Sequence, residues 1–364
     1  MPISKVTSPD DSALAALCVQ LAAGAADVDR SGKWPAEQLR LCAEAGVFEW
    51  FLEPQFGGQG WAAVDAVRGY MALASACLTT TFILTQRTGA CRRIAASRNR
   101  ELQARLLPGL VDGSRFATIG ISHLTTSRRH LGRPVLAAVE TSAGFRLDGM
   151  SPWVTGGAAA DTIVMAASLV ENGEPTDREL VLAVPTDLPG VVVDEPFALV
   201  SLTASATGPV RLSGVEVSRE NVIAGPAANV MASAAGGSTG GYETSALALG
   251  LARAAIDFLS AEAIKRPDLS PPCEALSEEH SELVDDLLAL VGGDDRCTKE
   301  SIRQRANTFV LRATQAALSA AKGTGYVAGH PAGRWCREAL FFLVWSCPQP
   351  VANANLCELA GIAD

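Results

Sequence analysis

The order in which two hydrophobic rhythms follow one another restricts the fold of this chain more than any single motif. Residues 10–115 carry apolar residues at helical spacing; from 115 to about 225 the chain breaks into short runs rich in Val, Ile and Leu; from Ala227 onward the helical spacing returns. Asp10-Asp11-Ser12 can cap an Ala- and Leu-rich helix over residues 13–26, and Trp34-Pro35 opens a second, with Leu39, Cys42, Ala43 and Val47 at helical spacing and Gly46 near its end. Pro54 to Gly60 interrupts, and helices are expected over about 63–76 and 79–96. The basic run 92–105 reads as a solvated helix face. Strand-like runs at 115–121, 134–140, 162–168, 180–185 and 210–217 are separated by turn residues such as Asn172-Gly173-Glu174-Pro175 and Asp187-Leu188-Pro189-Gly190. In the last third, a Pro-rich acidic stretch at 266–279 and a second break at 292–295 divide the helices. Helices, then strands, then helices predict an α+β protein: a helical domain over 1–114, a β-barrel or sandwich over 115–227 and a helical domain over 228–364. No Gly-x-Gly-x-x-Gly follows a strand, so the pattern offers no Rossmann site.

Composition narrows the partners. The net charge is −9, against a nucleic-acid partner, because phosphate binding needs clustered Lys and Arg. Nine cysteines are scattered among apolar residues with no Cys-x-x-Cys pair, so a zinc site is not expected and buried reduced thiols are. No basic segment followed by an apolar run opens the chain and no uninterrupted apolar stretch reaches bilayer length, which predicts a cytoplasmic protein without membrane insertion.

Chemistry concentrates at Gly149-Met150-Ser151-Pro152-Trp153-Val154-Thr155-Gly156-Gly157. At the end of a short strand, the Trp153 face can stack on a flat ring and the Thr155 hydroxyl can bond its edge. This strand resembles the Gly-x-x-x-Trp-Ile-Thr-Asn-Gly strand of the acyl-CoA dehydrogenases, and further patterns of that family recur in order. They are Trp34-Pro35 through Glu53-Pro54-Gln55-Phe56-Gly57-Gly58-Gln59-Gly60, Leu107-Pro108-Gly109-Leu110 with Asp112-Gly113, and Leu212-Ser213-Gly214-Val215-Glu216-Val217 through Gly225. Gly250-Leu251-Ala252-Arg253, Gly323-Thr324-Gly325-Tyr326 and Arg337-Glu338-Ala339 complete the set.

The resemblance implies an acyl-CoA dehydrogenase-like fold ending in a four-helix bundle, a homodimer or homotetramer, and FAD as cofactor. Position by position, it puts Ser122, Trp153 and Thr155 around the isoalloxazine, and Gly323 and Gly325 where a neighbouring subunit's backbone approaches the adenosine half. The reading of the two glycines as an ordinary helix-ending turn stays open. Three departures stand out. The loop after Ser122, His123-Leu124-Thr125-Thr126-Ser127-Arg128-Arg129-His130, replaces the family's Glu-Pro-x-x-Gly-Ser-Asp; it reads equally as a phosphate loop using Arg128 and Arg129 or as a solvated loop. Lys265-Arg266-Pro267 stands where the family's FAD-reaching Arg-x-x-Phe-Gly is, leaving Arg266 as the substitute. The catalytic Glu position holds Ser346, and the alternative base position holds Gly240.

Glu243, three residues after Gly240, is the carboxylate that helix spacing brings nearest to a known base position, which makes it the candidate base with Ser346 orienting substrate. Its first-turn place is equally what the helix dipole favours. His123 and His330 read as satisfied structural or loop residues; Phe341, Phe342 and Trp345 stand at a spacing that suits either core or cofactor wall, with core favoured. The expected function is FAD-dependent desaturation of an acyl thioester, on CoA or a carrier protein, next to its carbonyl. A flavin monooxygenase on the same scaffold, or a degenerate binding or partner subunit, are the alternatives.

Overall fold

The computed structural model describes residues 4–125, 134–232, 241–345, 347 and 349–362. Its N-terminal unit holds α1 (Ser12–Ser31), α2 (Ala36–Glu44), α3 (Ala63–Ala76), α4 (Leu78–Ala95) and α5 (Arg100–Asp112). α1 begins where the Asp11 carboxylate accepts from the Ala13 amide at 2.9 Å and ends at Gly32, whose φ of 60° is the left-handed closure that favours glycine. By length and composition α1 could cross a membrane; here Leu14, Leu17 and Leu21 are buried in the core. The basic run does not form one solvated face: it is split between the end of α4 and the start of α5, and Arg93 is buried.

The central unit consists of β1 (Ala117–Gly120), a single helical turn α6 (Ser122–Thr125), β2 (Leu136–Glu140), β3 (Gly144–Thr155), β4 (Thr162–Glu171), β5 (Glu174–Pro185), β6 (Val191–Val193), β7 (Thr207–Ser218) and β8 (Val222–Ala228). These join in one sheet, ordered β6-β7-β3-β2-β4-β5-β8, with β1 lying parallel to the first half of β4. The sheet coils round one interior cluster to which Leu136, Phe145, Met165, Leu182 and Val210 all contribute. Edge strands β6 and β8 do not pair with each other, so the expected barrel is an open one made from a single sheet. β4 is buried on both faces: Ile163, Met165 and Ala167 point inward, while Val164 and Ala166 meet Ala90, Ile94 and Leu106 of α4 and α5. The β4–β5 hairpin turns at Asn172 and Gly173, both at positive φ (53° and 84°), as a two-residue turn requires.

The C-terminal unit contains α7 (Tyr242–Lys265), α8 (Ser270–Val291), α9 (Lys299–Ala321), α10 (Pro331–Ala339) and α11 (Gln349–Leu359). α7, α8, α9 and α10 pack as a bundle, with α11 against α9. The interruption expected over 266–279 shrinks to Arg266 and a single turn, Pro267–Leu269. Pro271 and Pro272 sit in the first turn of α8, where the missing amide costs no hydrogen bond, and the acidic residues that follow are helical. The two helical units share one core, in which α3 packs along α7. Gly250 permits this: a Cβ there would lie 2.4 Å from the Met71 carbonyl oxygen and 2.8 Å from the Ala74 Cβ.

Candidate functional site

A cavity of about 690 Å³ opens where the three units meet. β3 delivers Trp153 and Thr155 to its wall, and the chain then turns away at Gly156, which has φ 65°. Trp153 is 47% exposed, an unusual state for so large an apolar ring, and Phe197 leans on it with ring centroids 4.9 Å apart. Thr155 is buried, and its Oγ1 lies 2.9 Å from Oγ1 of Thr207, its cross-strand partner on β7. Thr207 Oγ1 lies in turn 2.8 Å from Ser205 Oγ, at the end of the Thr203–Ser205 turn. Ser122, just after β1, completes the polar part of the wall.

The opposite wall is aromatic. Phe341 and Trp345 stack at 4.8 Å and 15°, and Phe82 of α4 meets them edge-on at 4.8 and 5.0 Å. Two buried polar side chains of α9 hold this segment from behind: Arg303 donates to the Trp345 carbonyl at 2.7 Å and Asn307 to that of Phe342 at 3.0 Å. Phe342 is core, as expected; Phe341 and Trp345 are instead cavity wall.

Among the described residues, one cation lines the cavity. Arg337 of α10 donates to both carboxylate oxygens of Asp29 on α1, at 3.1 and 2.6 Å, and to the Val200 carbonyl at 3.3 Å. Asp29 holds the guanidinium above its ordinary range. Among the described residues, the lining includes no Asp or Glu.

Of the residues singled out from the sequence, the structure brings together Ser122, Trp153 and Thr155. Glu243 lies elsewhere: in the first turn of α7, it accepts from Arg92 Nη1 at 2.6 Å and is not part of the cavity lining. Ser346, Gly240, Arg128 and Arg129 fall outside the described residues. Arg266, Gly323 and Gly325 form a separate patch where α7 and α9 end. Arg266 donates to Glu262 at 3.0 Å and to the Ala320 carbonyl at 2.5 Å. Gly323 faces open space, whereas Gly325 is packed on its own chain, with a Cβ position 2.6 Å from that of Ala321.

The two histidines are structural. His123 donates from Nε2 to the Ala166 carbonyl at 2.8 Å, and burial pulls its imidazole down to about 4, so it is neutral at pH 7. His330 Nδ1 accepts from the Ala332 amide at 3.2 Å and caps α10.

Sequence reading missed Phe82, Ser205 and Thr207, and took Arg337 only as part of a pattern. Thr207 was detectable in principle: a Thr opening the strand that pairs with the Trp153-Val154-Thr155 strand falls opposite Thr155.

Comparison with known proteins agrees with this architecture. The family model for the acyl-CoA dehydrogenase N-terminal domain matches residues 11–114. The probable acyl-CoA dehydrogenase YngJ of Bacillus subtilis (strain 168) is 23% identical over 337 residues, covering 88% of each chain. Glutaryl-CoA dehydrogenase of Mycobacterium smegmatis, solved in complex with FADH2, superposes with a TM-score of 0.80 at 17% identity, covering 98% of this chain and 96% of its own. KijD3, solved with FMN and a dTDP-linked amino-keto sugar, superposes at 0.74 and 20% identity, covering 97% and 93%. Fold, domain order and these matches together make the chain similar to the acyl-CoA dehydrogenases along most of its length, with the N-terminal domain of that family matched over residues 11–114.

Proposed function

We propose that the chain is a flavin-dependent oxidoreductase of acyl thioesters, with FAD as the flavin. The carrying observation is the cavity itself: a half-exposed Trp153 face and the Thr155–Thr207 hydroxyl pair on one side, an aromatic wall on the other. That lining fits a planar, two-sided ring with polar edges. Its volume lies within the usual range for small-molecule sites. Trp153 would take one ring face, and Ser122, Thr155 and Thr207 its polar edge. Arg266, Gly323 and Gly325 offer a second patch for the adenosine half bound across a homodimer or homotetramer. Bound there, a flavin would supply two-electron acceptance from the substrate, which no protein side chain in the cavity can provide.

The chain's own part is to exclude water with Phe82, Phe341 and Trp345 and to orient the acyl group against the ring plane. Desaturation next to the carbonyl also needs a base. In this reading Glu243 fills that role once it is released from Arg92, with Ser346 orienting substrate. The lack of a carboxylate among the described lining residues favours a second reading, a flavin monooxygenase on the same scaffold, for which no carboxylate base is required.

Titration with FAD tests the common ground: failure of the protein to perturb flavin absorbance would refute both readings. Anaerobic bleaching of bound FAD by acyl-CoA supports dehydrogenation, whereas oxygen uptake driven by NAD(P)H supports monooxygenation.

A further inference from the structure

Arg87 is a buried cation without a counter-charge. It lies on α4, one residue past Gln86 of the cavity lining, and is 1% exposed. Its guanidinium sits 3.6 Å over the centre of the Phe48 ring, and among the described residues it forms no ion pair. Nε and Nη2, the two nitrogens of one guanidinium edge, are buried and have no hydrogen-bond partner. The titratable groups that face it are the Cys91 thiol, one turn further along α4, and the Tyr70 phenol of α3. Burial pushes both up, so both are uncharged at pH 7. The Tyr70 hydroxyl is itself buried without a hydrogen-bond partner. Glu243 faces Tyr70, but its carboxylate is taken by Arg92 at 2.6 Å.

Burial disfavours the charged guanidinium, yet arginine does not give up its proton near neutral pH. A charge held this deep is stable only when it is paired and hydrogen-bonded. The Phe48 ring offsets part of the cost through its π face and leaves the N–H edge untouched. A water molecule can accept from that edge but brings no charge. We infer that the Nε–Nη2 edge of Arg87 is a binding site for a small monovalent anion of the halide class, such as chloride. The two N–H groups of one edge point the same way and can share a single anion. Charge sets the valence, because one cation among neutral neighbours calls for one negative charge. Burial sets the size, because so enclosed an edge admits a monatomic ion more readily than sulfate or gluconate. An ion held there binds the folded chain alone and stabilises it by mass action. It would also steady α4, which carries Phe82 and Gln86 to the cavity, against Phe48 of the Val47–Glu49 turn. The inference is independent of the flavin reading.

The test is thermal melting of the full chain, dialysed free of halide, in sodium chloride and in sodium gluconate at matched ionic strength. Arg87→Met keeps much of the side chain's length without its charge. The quantity read is the change in melting temperature on replacing gluconate by chloride, wild type minus Arg87→Met, which cancels the general effects of the two salts. It is expected to be positive and to grow by roughly 2 °C for each tenfold rise in chloride above the dissociation constant. A difference of zero or below overturns the site, since chloride then acts elsewhere or not at all. Should Arg87→Met fail to fold, a bromide-soaked crystal of wild type decides the matter by anomalous scattering. A bromide peak within hydrogen-bond distance of Nε and Nη2 is expected, and its absence overturns the site.

Discussion

Glu338 makes stability depend on pH in a direction opposite to that of most carboxylates. It sits on α10 next to Arg337, is 3% exposed, and has Arg334 Nε 3.6 Å away. Burial dominates over that cation and pushes the carboxyl from its ordinary 4.5 up to about 7. A folded-state value above the unfolded one means that the folded chain holds the proton more tightly. The stability this contributes is complete below pH 4.5 and is lost as pH rises through 7. A displacement from 4.5 to about 7 corresponds to on the order of 3 kcal/mol. Glu338→Gln keeps the shape and cannot ionise, so its stability lacks this slope. Urea denaturation at intervals from pH about 4.5 to 8.5 should show the variant gaining on wild type by roughly that amount, nearly all of it between pH 4.5 and 7.5. The difference between the two curves matters, because other titrating groups contribute equally to both. If the curves run parallel across this range, Glu338 titrates normally and its burial does not govern its proton.

Gly250→Ala should destabilise by about 1–2 kcal/mol: helix propensity gains about 1, but a Cβ 2.4 Å from a backbone oxygen on α3 forces two helices apart. A raised melting temperature in that variant would show that the close approach is absent. His123 works in the opposite sense to Glu338. Its imidazole, lowered from 6.5 to about 4, contributes stability above pH 6.5 that is lost as pH falls toward 4, and His123→Gln should flatten that acid limb in the same urea titration. Because Trp153 is half exposed, Trp153→Ala should leave melting nearly unchanged while weakening FAD binding about tenfold by fluorescence titration; intact affinity would remove Trp153 from the site.

Local features of the fold were legible because they depend on near neighbours. The Asp11 cap, the Asn172-Gly173 turn and the limits of α3 all follow from residues within a few positions of one another. The Pro271-Pro272 pair misled for a related reason: proline breaks a helix interior but suits its first turn, and only the actual start of α8 distinguishes the two. Long-range features were not legible. Helix spacing could offer Glu243 as a base, but not show that Arg92, 151 residues away, binds its carboxylate. Phe341 and Phe342 are equally apolar neighbours, and which one reaches the core depends on the turn at Leu340–Leu343 that sets their directions. Ser122, Trp153 and Thr155 came together because a familiar pattern marked them; Ser205 entered only through a hydroxyl contact that spans no recognisable motif.

No single unit owns the cavity. Its wall takes Phe82 from the first helical unit, Thr155 and Thr207 from the sheet, and Phe341 and Trp345 from the second helical unit, while Arg337 leans on Asp29 of α1. An occupant therefore acts as a keystone, adding its binding free energy to the association of all three units at once. Damage to α1, far along the chain from Thr155, reaches the occupant as lost affinity, and an occupied cavity raises the resistance of every unit to unfolding.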